Sequence, residues 1–147
     1  MSLDKKIAEI TALAYSRVGA GIEPENAWNQ TLKELYTPEK LAPQMKHTCP
    51  NWAFAAFCHT GNLKQVRNGC SPASEKSSSA VFALKGLECL IANPSLATNK
   101  AVLKRMVFGE KGKPGYRTPN HEIEVLLALW EAGAFNTERY RANIEAK

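Results

Sequence analysis

Leu3, Ile7, Ile10, Ala14 and Val18 recur at three- and four-residue steps, which lines one face of a helix over about residues 3–19. Gly19 and Gly21 follow as stop signals, and Pro24 opens a second helix with Trp28, Leu32, Leu35 and Tyr36 on one face. Thr37-Pro38-Glu39 predicts a single short turn, and Pro50 starts a helix carrying Trp52, Phe54, Ala55, Ala56 and Phe57 that closes at Gly61. Residues 62–74, rich in Asn, Gly, Ser and Pro, read as a loop, with Ser77–Ser79 at the start of the next helix. That helix, about 75–92, repeats Ala80, Ala83, Leu84, Leu87, Leu90 and Ile91 at helical spacing until Asn93-Pro94 ends it.

Thr98 is the expected cap of a helix to about Phe108, with Val102, Leu103 and Met106 inward. Beyond a glycine-rich loop, Thr118-Pro119 opens the most apolar helix, with Ile123, Val125, Leu126, Leu127, Leu129, Trp130 and Ala132. Glu122, Glu124 and Glu131 are its small polar surface, and Gly133 its stop. A helix apolar on nearly every side belongs at the centre of a core. Two-residue alternation is missing throughout, so little or no sheet is expected. The pattern predicts an all-α, single-domain irregular bundle of about five to seven helices, with the helices near 80–92 and 119–132 central. The domain spans 1–147, its core about 3–135, and 136–147 form a peripheral or frayed helix. Trp28, Trp52 and Trp130 fall on apolar faces and read as core anchors.

Composition agrees: 147 residues, 44% hydrophobic and 22% charged, describe one ordinary globular domain. No apolar run is long enough to span a membrane, the charged N-terminus does not resemble a signal peptide, and Cys49, Cys58, Cys70 and Cys89 read as free thiols. A cytoplasmic protein with no membrane partner is expected.

Charge changes the picture more. Lys100, Lys104, Arg105, Lys111, Lys113 and Arg117 face only Glu110, so residues 100–117 carry +5, the net charge of the whole chain. The rest is neutral. Concentrated cations beside flexible glycines suit an anionic partner, nucleic acid or an acidic protein, and Phe108 and Tyr116 offer base stacking. The glycines of this loop lack the spacing of a phosphate-binding P-loop. The bland alternative is a solvated face with a mobile loop.

His47, Cys49, Cys58, His59 and Cys70 supply zinc-ligand types but no Cys-x-x-Cys pair, so no metal and no cofactor is expected. His121 and Glu124, three apart, can share a helix face and are the candidate acid–base pair of a rival reading, a small enzyme aided by a thiol or metal. A third reading is a homo-oligomeric interaction module, in the simplest case a homodimer, marked by exposed apolar surface.

Cys49-Pro50, Ala53-Phe54, Cys58 and Gly61, the Asn93-Pro94 stop, Asn120-His121, Val125 to Trp130 and Gly133 resemble a family of small, functionally uncharacterised bacterial proteins. The resemblance covers about residues 49–135. It implies a shared helical fold and carries no activity. The working expectation is a non-enzymatic binding protein that uses Lys100 to Arg117.

Overall fold

The computed structural model describes residues 3–46, 48–59, 78–119 and 121–135. Among these residues the chain is all α: α1 Leu3–Gly19, α2 Pro24–Leu35, α3 Pro38–Lys46, α4 Thr48–His59, α5 Ser78–Ala92, α6 Lys100–Phe108 and α7 Glu122–Glu131, with a 3-10 turn at Pro94–Thr98 between α5 and α6. None of these helices is long and apolar enough to cross a membrane.

The stripes read from the sequence become the core. Ile7, Ile10, Ala14 and Val18 of α1 are buried, as are Ala80, Ala83, Leu87, Leu90 and Ile91 of α5. As expected of the two most apolar segments, α7 packs against α1, α4, α5 and α6, while α5 packs against α4, α6 and α7. Aromatic rings tie the outer helices to this centre. Trp28 meets Phe54 at 5.6 Å across α2 and α4, and Phe82 meets Phe108 at 4.9 Å across α5 and α6. Buried threonines satisfy themselves locally, Thr11 donating to the Ile7 carbonyl at 2.7 Å and Thr31 to that of Ala27 at 2.8 Å. Arg17 joins α1 to α2, donating to Thr31 at 2.9 Å and pairing with Glu34.

Several local expectations are corrected. α3 is a nine-residue helix rather than a single turn, and it holds Pro43 inside it. Glu39, whose carbonyl loses its partner because Pro43 has no N–H, is exposed and open to water. α4 begins at Thr48, so Pro50 sits third, still within the turn whose N–H groups have no helical partner. Trp52 is no core anchor: it is 40% exposed, while its neighbours Ala53 to Cys58 fill the buried face. Asn99 rather than Thr98 caps α6, accepting from the Val102 N–H at 3.4 Å, because Thr98 turns back to donate to the Ser95 carbonyl at 2.9 Å. On α6 the inward residues are Leu103, Val107 and Phe108, and Met106 is exposed.

The largest correction concerns α7. It starts at Glu122, not at Pro119, and Glu122 and Glu124 are buried rather than forming its polar surface. Cys49, Cys58 and Cys89 are free thiols, Cys58 deep in the core. The expected loop at 62–74, Cys70 and the helix beyond 136 lie outside the described residues.

Candidate functional site

The end of α6 and the loop after it build a pocket. Gly109 ends the helix at φ +86°, a left-handed conformation that glycine adopts without steric cost. Its N–H bonds the Arg105 carbonyl at 2.9 Å, and the Arg117 N–H returns to the Phe108 carbonyl at 3.0 Å. The loop is braced inside by Lys113 N–H to the Glu110 carbonyl (3.0 Å) and Tyr116 N–H to that of Lys113 (3.3 Å). The return path passes close to the helix end, since a Cβ on Gly109 would lie 3.5 Å from the Tyr116 Cα. Tyr116 is thereby folded back beside Phe108.

Between helix and loop opens a pocket of about 420 Å³. Its walls carry three cations (Lys104, Arg105, Lys111), one carboxylate (Glu110) and the half-buried Tyr116, while Phe108, which the sequence offers for base stacking, lies buried against Phe82 and presents no open face. Part of this charge has a structural use, because cations complement the negative end of a helix dipole. Two of that end's carbonyls, those of Arg105 and Phe108, also accept backbone N–H groups of Gly109 and Arg117.

The six basic residues divide. Arg105 and Lys111 are exposed at the pocket, and Lys113 and Arg117 are exposed on the same loop without lining it. Lys100 and Lys104 turn towards α7. Lys104 Nζ sits 2.8 Å from Glu124 Oε1, and Lys100 Nζ 3.8 Å from the same oxygen. The Glu124 side chain is only 5% exposed, against 30% for Lys104 and 38% for Lys100. Two ammonium groups therefore share one buried carboxylate.

His121 is the residue before α7 and adopts φ +70°, ψ +11°, the left-handed region, uncommon for a residue with a Cβ. Its Nδ1 lies 4.0 Å from Glu124 Oε1, beyond hydrogen-bond reach. The structure thus brings the two rival sequence candidates, the His121/Glu124 pair and the basic segment, into one cluster. Within it, Lys104 holds the carboxylate more closely than the histidine does.

His121 also borders a cavity of about 70 Å³ lined by Ile7, Ile10, Trp28, Leu32, Gln44 and Pro50. That is far below the roughly 300–1,000 Å³ of typical ligand sites. Two of the thiols are poor partners for an acid–base pair. Cys58 is fully buried, and burial pushes the Cys89 thiol above its ordinary pKa, with Glu88 adding to the rise and Lys85 opposing it. Among the described residues, no group of three His, Cys, Asp or Glu side chains is placed to hold a metal. His47 and Cys70 lie outside those residues.

Sequence pattern located the cations, Phe108 and Tyr116. It did not reveal that Glu124 is the partner of Lys100 and Lys104, twenty or more positions away, because that pairing follows from how α6 lies on α7.

Residues 5–136 match a family of unknown function (DUF6979). No curated protein and no solved structure matches the chain.

Proposed function

Because the chain belongs to this family of unknown function, no relative supplies a ligand, and we propose from the site alone that it is a non-enzymatic module binding single-stranded nucleic acid in the α6–loop pocket. The observation that carries this reading is the convergence of Lys104, Arg105 and Lys111 with the half-buried Tyr116 on one open pocket. Cations neutralise phosphates and release their counterions, while an aromatic face stacks a base at about 1–3 kcal/mol. An unpaired base can enter a concavity of this kind, whereas the bases of a duplex stay stacked inside it. The exposed Lys113 and Arg117 extend the positive surface along the loop for the continuing backbone.

Other observations favour binding over acid–base catalysis. Glu124 is engaged by Lys104, and the space beside His121 is too small for an ordinary substrate.

Fluorescence anisotropy with a labelled oligothymidylate tests the proposal. With three phosphate contacts on a single strand, affinity is expected to fall about twentyfold between 50 and 200 mM salt. Arg105→Glu with Lys111→Glu is expected to weaken binding at least about tenfold by reversing two charges at the pocket. No binding at 50 mM salt, or binding indifferent to salt, contradicts the proposal. A labelled polyglutamate peptide that binds as tightly through the same residues would point to an acidic protein instead.

A further inference from the structure

The pocket's charge depends on a contact made behind it. Lys104 belongs to two environments, lining the pocket and pairing with Glu124 Oε1 at 2.8 Å. Lys100 stands one turn earlier on the same face of α6, 3.8 Å from that oxygen, and does not line the pocket. Glu124 is buried in the first turn of α7, where the helix dipole attracts a carboxylate. Its Oε2 is buried and has no hydrogen-bond partner among the described residues. A buried carboxylate left without a cation is strongly unfavourable. Lys104 can therefore swing towards a ligand only if another cation takes its place on Glu124.

Building on the binding reading above, we propose that Lys100 is a positioning residue for the pocket: it takes over Glu124 when a bound phosphate draws Lys104 outward. Glu124 is then an internal competitor that holds Lys104 back while the site is empty. Lys100 sets how easily that hold is released. No movement of the helices is needed, because Lys100 Nζ already stands 3.8 Å from the oxygen that Lys104 holds at 2.8 Å, and both side chains remain about one-third exposed. His121 Nδ1, at 4.0 Å, is the third neighbour of Glu124 Oε1.

Removing a cation that does not touch the ligand must weaken binding, and only while Glu124 carries its charge. The test uses the labelled oligothymidylate at 50 mM salt, with melting temperatures confirming that each variant is folded. Lys100→Met is expected to weaken binding about threefold to fivefold, the scale of one partly exposed ion pair. Glu124→Gln, which keeps the side chain's shape, is expected to tighten binding by a similar factor. In the Glu124→Gln background, adding Lys100→Met is expected to change affinity by less than about twofold, because Lys104 is already released.

Equal weakening by Lys100→Met in both backgrounds would overturn the exchange and leave only a through-space charge effect. So would wild-type affinity in Lys100→Met. If binding is lost in Arg105→Glu/Lys111→Glu but indifferent to Lys100 and Glu124, the pocket stands and the exchange falls. An oligonucleotide that does not bind, or ignores Arg105→Glu/Lys111→Glu, overturns both.

Discussion

Gly86→Val is expected to destabilise the protein by about 3 kcal/mol, seen as a melting temperature lower by roughly 6–12 °C for a chain of this size. Gly86 lies in α5 where that helix crosses α7. A Cβ there would come within 2.9 Å of Leu126 Cδ2, 3.2 Å of Ile123 Cδ1 and 3.7 Å of Val107 Cγ2. Ile123, Leu126 and Val107 are all buried, so the two extra methyl groups of valine have no room. Gly86→Ala is the informative control. It adds about 1 kcal/mol of helix propensity and displaces mainly the flexible end of Leu126, so its net effect should stay within about 1 kcal/mol. Circular dichroism during thermal and urea unfolding checks both variants. A valine variant as stable as wild type would mean that α5 and α7 do not approach this closely.

Lys100→Met combined with Lys104→Met is expected to cost about 2–3 kcal/mol at neutral pH. Breaking a fully buried pair costs roughly 3–5 kcal/mol, and the value is discounted because both lysines are about one-third exposed. The cost arises from stranding Glu124, so adding Glu124→Gln should restore most of it. The single variants should be milder, since the remaining lysine still reaches the carboxylate. A triple variant as unstable as the double would show that the lysines act through the packing of their methylene stems rather than through charge. Urea unfolding of the four proteins gives the cycle directly.

The helices were largely legible because their apolar spacing and stop signals agree. The α1 and α5 stripes and the glycine and Asn-Pro punctuation need only local physics. What escaped was decided between helices. Glu122 and Glu124 read as the wet side of α7, since carboxylates at a helix start are ordinarily solvated. The burial of Glu124 draws on ammonium groups that α6 supplies from twenty or more positions away. Trp52 fits the apolar face of α4 by type, yet Ala53, Phe54 and Phe57 take the buried directions and leave it exposed. The left-handed turn at His121, which delays α7 to Glu122, carries no glycine to announce it.

The candidate site was half legible for the same reason. Charge clustering named all six cations but could not say which were spoken for. Folding commits Lys104, with Lys100 beside it, to Glu124 and leaves Arg105 and Lys111 exposed at the pocket beside Tyr116. The useful charge of the segment is smaller and more localised than its sequence suggests.

The proposed binding of an anionic single strand in this pocket can be followed residue by residue. Amide chemical shifts followed by NMR during titration with oligothymidylate test it most directly. Shift changes are expected to concentrate on the last turns of α6 and on the loop from Gly109 to Pro119, fading as salt is added. Shift changes centred on α1–α4, or none at saturating oligonucleotide, would contradict it.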